Sequence, residues 1–158
     1  MLDLVLLTHA TEVDHPTNTG RLVQEVLGAR AETIVWRREA PDAGLLRRIA
    51  AGGVQLLWPS TRSRVGSPVG SLQSDDPLIV IDATWQRARK IYNRSPYLHP
   101  LPTIALAGAP SRYALRRNQT ADGLCTIEVA AHVLAARGQR SVADALESRF
   151  VERLRRGR

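Results

Sequence analysis

Short apolar runs alternate with amphipathic segments along the whole chain. The runs predict strands at residues 4–7, 33–36, 54–58, 79–81 and 103–106. Apolar positions at helical spacing predict helices at 20–27, 42–51, 85–92, 125–136 and 141–154, the last with Ser141 as its N-cap. Residues 61–76 are rich in Ser, Gly and Pro and predict a loop. This alternation predicts one α/β domain over residues 1–158, with a mostly parallel sheet and helices on both of its faces.

The fourth apolar run ends directly on a carboxylate, Asp82. Thr84 then occupies an N-cap position, and Trp85 opens the next predicted helix. Ligands of open α/β sheets bind outside the carboxyl ends of the strands, so Asp82 is a candidate catalytic residue. A second interpretation is that Asp82 and Thr84 only cap the helix while Trp85 packs beneath it.

Three further polar segments, at 8–21, 58–61 and 113–128, interrupt the apolar pattern. Together with the segment that begins at Asp82 there are four polar segments, and three of the four directly follow predicted strands. We expect those three to lie at the same edge of a parallel sheet. The Thr-Asn-Thr-Gly run at 17–20 stands at a helix start, where hydroxyls and N–H groups either bind an anion or form an ordinary cap. Their convergence at one edge favours a shared site.

Composition restricts the class of protein. Hydrophobic residues make up 44% of the 158 residues and charged residues 23%, which is ordinary for a globular domain. No apolar run approaches the roughly 20 residues that span a bilayer, and no signal-peptide pattern opens the chain, so we expect no membrane contact. The single cysteine, Cys125, excludes an intrachain disulfide and a cysteine-cluster zinc site, which together favour a cytoplasmic protein.

Basic residues indicate a polyanionic partner. The net charge of +7 comes from 22 basic and 15 acidic residues, and Lys90 is the only lysine. A genomic preference for arginine is an alternative explanation for part of this excess, but the arginines are also grouped along the chain. They cluster at 87–90, at 112–117 and at 149–158. Three such clusters favour nucleic acid over a merely solvated surface.

Common cofactor motifs are missing from the sequence. No Gly-Lys-Ser/Thr phosphate loop and no Gly-x-Gly-x-x-Gly dinucleotide motif occur. The four histidines show no metal-ligand spacing, so we expect no metal.

Several ordered motifs resemble those of one family. The segment Asp82-Ala83-Thr84-Trp85 resembles the Asp-x-Thr-Trp signature of the DTW-domain proteins. Residues 17–22 resemble the Asn-Thr-Gly-Arg-Leu segment of that family. Further matches follow in the same order, at 85–90, 95–98, 101–102, 113–116 and 125–130. The resemblance covers roughly residues 4–137, and its specificity comes from the set of motifs rather than from the tetrapeptide.

The resemblance implies a tRNA-uridine aminocarboxypropyltransferase related to the SPOUT methyltransferases. Such an enzyme uses S-adenosylmethionine to transfer a 3-amino-3-carboxypropyl group to N3 of a uridine in tRNA, and methylthioadenosine leaves. It also implies a SPOUT-like sheet with a C-terminal trefoil knot that holds the cofactor. Many family members carry a cysteine cluster before this domain, and with one cysteine we expect no such zinc module in this chain.

The resemblance also implies roles for individual residues. Asp82 acts as the general base for N3 or faces the sulfonium or amino group electrostatically, whereas Trp85 stacks on uracil or anchors the loop. The donor carboxylate would meet Arg116 or the helix start at Thr126. The candidate catalytic residues are Asp82, Thr84 and Trp85. The candidate cofactor contacts are Pro59, Ser60, Leu106, Tyr113, Leu115, Arg116, Leu124, Cys125, Thr126 and Glu128. The candidate RNA contacts are Asn18, Thr19, Arg21, Arg87, Arg89, Lys90 and Arg117, joined by the basic helix at 141–158.

Two alternative functions remain beside this one. A SPOUT-type RNA methyltransferase would use the same donor and the same edge of the sheet. A non-catalytic RNA-binding domain would use the basic clusters alone.

Overall fold

A five-stranded, entirely parallel sheet forms the centre of the protein. The computed structural model describes residues 2–15, 18–58, 68–105 and 125–156. In sheet order β2-β1-β4-β3-β5, the strands are β1 (Leu4–Thr8), β2 (Ala31–Val35), β3 (Gln55–Leu57), β4 (Leu78–Asp82) and β5 (Thr103–Ile104). The predicted α/β class and parallel sheet are confirmed.

The described part of the chain also contains five α-helices and two short 3₁₀ turns. The helices are α1 (Gly20–Leu27), α2 (Ala43–Ala51), α3 (Trp85–Asn93), α4 (Thr126–Ala136) and α5 (Arg140–Arg156). The 3₁₀ turns are Gly28–Arg30 and Pro96–Leu98. None of these helices is both long enough and apolar enough to cross a bilayer.

Alternate residues of the central strands face two separate cores. Leu6 and Val80 pack with α1, α4 and α5 on one face of the sheet. Leu7 and Ile81 pack with α2 and α3 on the other face. Because β1 and β4 are covered on both faces, every residue in them is buried, and their sequences read as continuous apolar runs.

The centre of the sheet is also a topological switch point. From β1 the chain passes through α1, on one face, to β2 at one side. From β4 it passes through α3, on the opposite face, towards β5 at the other side. Thr8 and Asp82 are register partners where β1 and β4 end. Ligands of open α/β sheets bind in the crevice at such a point.

The start of the last helix differs from its prediction. α5 begins at Arg140, and Ala143 N–H donates to Gln139 O at 3.1 Å, so Ser141 lies inside the first turn and the predicted cap is wrong. Gly138 has φ +80°, and Gln139 N–H donates to Leu134 O at 2.8 Å, which closes α4 in a Schellman-type turn. This tight turn leads straight into α5.

The predicted loop at 61–76 and the predicted knot are only partly covered by the described residues. Of the predicted loop, residues 68–76 carry turns and one isolated bridge between Val69 and Thr103. The C-terminal knot that the resemblance implies stays a prediction, and residues 106–124 lie outside the described residues.

Candidate active site

Asp82 is a buried carboxylate held by two hydroxyls. It is the last residue of β4 and is 1% exposed, because the flanking strands and the helices on both faces cover the strand end. Thr126 Oγ1 donates to its Oδ1 at 2.7 Å, and Thr8 Oγ1 lies 3.4 Å from its Oδ2. A buried carboxylate requires such donors, and here they fix its orientation.

Three helices begin around this carboxylate. α1 starts at Gly20, α3 at Trp85 and α4 at Thr126. Each helix N-terminus carries partial positive charge, which stabilises a negative charge placed close to it. A Cβ at Gly20 would overlap Asp82 Oδ2, so a glycine is needed there for α1 to approach the strand end.

The Asn-Thr-Gly segment connects α1 to the neighbouring elements. Asn18 Oδ1 accepts from Gly20 N–H at 2.5 Å, and the Asn18 amide donates to Glu12 O. Thr19 Oγ1 accepts from Ile127 N–H, in the first turn of α4, at 3.1 Å. The structure therefore brings together three segments that are far apart in sequence and contribute Asn18 and Thr19, Asp82, and Thr126.

A cavity of about 400 Å³ opens beside Asp82, at the carboxyl edge of β1 and β2. It has the volume of a small-ligand site. Its polar lining includes Thr8, Asp14, Asn18, Arg21, Glu25 and Asp82. Of these, Asn18, Arg21 and Asp82 are residues for which the sequence predicts a functional role.

Thr84 and Trp85 have structural contacts in α3. Thr84 Oγ1 accepts from Arg87 N–H at 3.1 Å, so the capping interpretation is confirmed for Thr84. The half-buried Trp85 ring lies 5.4 Å from the Trp58 ring, and the Arg89 guanidinium carbon lies 5.9 Å from the Trp85 centroid. These contacts anchor the segment that follows Asp82.

Cys125 carries a protonated thiol. Burial, followed by the negative charge of Glu128, raises the pKa of Cys125 from 9.0 to about 12. Glu128 Oε1 accepts from both the Cys125 N–H and its Sγ–H, each at 3.1 Å. The Cys125 and Glu128 side chains thus close the start of α4, and a neutral thiol is not a nucleophile at physiological pH.

The basic candidates have different surroundings. Arg87 pairs with the buried carboxylate of Glu12 at 3.5 Å. Arg89 and Lys90 are exposed on α3, and no carboxylate of the described residues pairs with either. Arg87 also lowers the pKa of His9, though burial of that ring is the larger cause.

Several functional candidates escaped the sequence analysis. Thr8 ends β1, and Glu12 and Asp14 follow it in the polar segment at 8–21. The sequence pattern marked this segment but did not distinguish these residues within it. No group of His, Cys, Asp or Glu able to hold a metal occurs within the described ranges. The following predicted residues lie outside the described residues: Pro59, Ser60, Leu106, Tyr113, Leu115, Arg116, Arg117 and Leu124.

Comparison with known proteins places the chain in a family. The chain is 31% identical to tRNA-uridine aminocarboxypropyltransferase 2 of Drosophila melanogaster over 137 residues, which are 84% of this chain and 55% of that protein. It thus spans about half the length of this curated relative. No solved structure matches the chain. The family description "DTW domain" matches residues 1–156, and the protein therefore belongs to the DTW-domain family.

Proposed function

We propose that this protein transfers the 3-amino-3-carboxypropyl group of S-adenosylmethionine to N3 of a uridine in tRNA, with release of methylthioadenosine. The observation that carries the proposal is the position of Asp82. This buried carboxylate ends β4 at the switch point of the sheet and borders the 400 Å³ cavity. Membership of the DTW-domain family and the similarity to a tRNA-uridine aminocarboxypropyltransferase support the same reaction.

Asp82 has the chemistry required of a general base. Uridine N3 carries a proton, and the Asp82 carboxylate accepts it as N3 attacks the carbon of the aminocarboxypropyl group that is bonded to sulfur. The new N–C bond forms while the C–S bond breaks, and the electron pair stays on sulfur. The sulfonium of the donor thereby becomes the neutral thioether of methylthioadenosine, and the proton on Asp82 later passes to water.

The surroundings of Asp82 suit this role. The Thr126 hydroxyl fixes Oδ1 at 2.7 Å, so the carboxylate is oriented before substrate binds. The N-termini of α1, α3 and α4, which carry partial positive charge, begin around it. Preorganisation of this kind, together with alignment of nucleophile, carbon and sulfur, supplies much of the rate acceleration.

The RNA is proposed to approach over α3. Arg89 and Lys90 extend from the helix that begins three residues after Asp82, and both side chains are exposed. Phosphates there would leave a flipped uridine within reach of the strand end. Trp85 is proposed to anchor the loop through Trp58 rather than to stack on uracil.

The test is product analysis with the purified chain, S-adenosylmethionine and unmodified tRNA. Mass spectrometry of nucleosides should show an aminocarboxypropyluridine and an equal amount of methylthioadenosine. Asp82→Asn should lower the rate by about 10²–10⁴-fold, the usual contribution of a general base, because the amide still accepts from Thr126 but takes no proton. Asp42→Asn is a matched control, since Asp42 only caps α2 through Leu45 N–H at 2.9 Å.

Other results would replace the proposal. A methylated nucleoside with S-adenosylhomocysteine as co-product would identify an RNA methyltransferase. Binding of tRNA without any binding of S-adenosylmethionine would identify a non-catalytic RNA-binding domain.

A further inference from the structure

The mouth of the cavity beside Asp82 carries two opposite charges. Asp14 and Arg21 both line the cavity, and both residues are exposed. Neither side chain has a hydrogen-bond or ion-pair partner in the described ranges. Glu25 lines the cavity as well, but Arg149 pairs with it at 3.2 Å. Among the described residues, the cavity therefore presents one available cation and one available anion, and the buried Asp82 carboxylate lines the same cavity.

This arrangement selects among ligand classes. A phosphate would meet Arg21 but also the three carboxylates that line the same cavity, which repel it. A neutral base would use neither Arg21 nor Asp14. A zwitterionic α-amino acid group matches both, because guanidinium binds carboxylate through paired hydrogen bonds and a carboxylate binds ammonium.

We propose that this cavity holds the aminocarboxypropyl arm of the donor, with its α-carboxylate on Arg21 and its α-ammonium group on Asp14. The inference rests on the proposed function and deepens it. An arm held at both charged groups would lie in the cavity that Asp82 also lines. Arg21 and Asp14 thereby act as specificity-determining residues that favour transfer of this arm over transfer of the methyl group.

The start of α4 offers a poorer place for the donor carboxylate. Glu128 already brings a carboxylate to its first turn, where Oε1 accepts from Cys125 N–H. The N–H of Ile127 already donates to Thr19 Oγ1. Arg21 meets neither obstacle, and it lies one residue after the glycine that touches Asp82. This reassigns Arg21 from the predicted RNA contacts to the donor.

Calorimetry with the full chain tests the proposal through binding alone. The probes are S-adenosylmethionine and its decarboxylated analogue, which lacks only the α-carboxylate. The wild type should bind S-adenosylmethionine at least about 10-fold more tightly than the decarboxylated analogue, which is the value of one charge-assisted pair. Arg21→Gln should lower the affinity for S-adenosylmethionine by about the same factor and change the affinity for the decarboxylated analogue by no more than about 2-fold.

Two carboxylate variants complete the experiment. Asp14→Asn should lower the affinity for both ligands, because both carry the ammonium group. Glu32→Gln is the matched control and should change neither by more than about 2-fold, since Glu32 is an exposed carboxylate that lies 3.8 Å from Arg48 and does not line this cavity.

The result that overturns the inference is distinct from failure of the proposed function. If Arg21→Gln lowers the affinity for both ligands equally, Arg21 does not hold the donor carboxylate. The same conclusion follows if it leaves both affinities unchanged and lowers the affinity for tRNA instead. If the wild type forms no aminocarboxypropyluridine, the proposed function fails whatever the ligand preference of the variants.

Discussion

Helix α3 and the α4–α5 pair both carry residues that the sequence marks as functional, yet they differ in charge and in packing. α3 has three basic residues and no acidic residue over Trp85–Asn93, and it begins beside Asp82. α5 has five arginines, but Asp144, Glu147 and Glu152 lie among them. Glu152 pairs with Arg156 at 2.8 Å and lies 4.0 Å from Arg149.

The two regions also differ in what they bury. α5 packs on α4 and α1 and contributes Phe150, which is 1% exposed, to the core on that face. α4 in turn supplies the Thr126 hydroxyl that orients Asp82. We therefore propose that the RNA surface is marked by unpaired basic side chains close to Asp82 rather than by the number of arginines. On this proposal the α4–α5 pair supports the site and does not bind RNA.

The largest expected effect concerns the closed start of α4. With a pKa near 12 rather than 9.0, the Cys125 thiol should react with an alkylating reagent about a thousand-fold more slowly in the folded protein than in the unfolded chain at mildly alkaline pH. Mass spectrometry of timed labelling reactions measures this ratio. Rapid labelling of folded protein would show that α4 begins in an open site rather than a supporting one.

The same shift predicts a dependence of stability on pH. The folded-state pKa is raised, so the stabilisation is complete below pH 9.0 and is lost as pH rises towards about 12. Urea unfolding at several pH values in this range should show that the free energy of unfolding falls more steeply with rising pH for the wild type than for Cys125→Ser.

Removing a core side chain tests whether α5 is a structural support. Phe150→Ala should lower the free energy of unfolding by about 3–5 kcal/mol, because it leaves a cavity where α5 packs on α4 and α1. The transfer rate per folded molecule should stay close to that of the wild type. A selective loss of tRNA affinity, with stability unchanged, would place the RNA on this face.

Paired charge removal compares the two helices directly. The double variant Arg89→Gln/Lys90→Gln should weaken tRNA binding about 10-fold and reduce the salt slope by about one for each lost phosphate contact. The matched variant Arg155→Gln/Arg156→Gln removes the same charge from α5 and should change affinity by no more than about 3-fold. Equal losses in filter binding over a salt series would remove the distinction between the helices.

The smallest effect comes from uncovering the arginines of α5. Glu152→Gln frees Arg156 and removes the carboxylate near Arg149, so tRNA affinity should rise about 2-fold with a slightly steeper salt slope. No change would mean that the geometry of α5, rather than its carboxylates, keeps RNA away.

Much of the fold was predictable because its determinants are local. Buried central strands read as unbroken apolar runs, and Gly28 and Gly52 mark the ends of α1 and α2. The start of α5 was not predicted, since it depends on how Gly138 turns the chain out of α4. The order of the strands depends on packing between distant segments, and no local pattern encodes it.

For the site, the strand-end rule pointed to Asp82 and to the polar segments that meet it. It did not distinguish Asp14 or the Arg87–Glu12 pair, because these depend on the path of the turn after β1 and on where α3 lies relative to it. The pairing of the C-terminal arginines was visible in part, since Glu152 and Arg156 are four residues apart on one helix.

The pH dependence of the rate ratio between the wild type and Asp82→Asn tests the central claim most directly. If Asp82 removes the N3 proton, single-turnover transfer by the variant should approach the wild-type rate as pH rises from neutral to alkaline, because an N3 that has already ionised needs no base. A ratio that stays constant across this range, with affinity for S-adenosylmethionine reduced, would contradict the account and assign Asp82 an electrostatic role towards the donor.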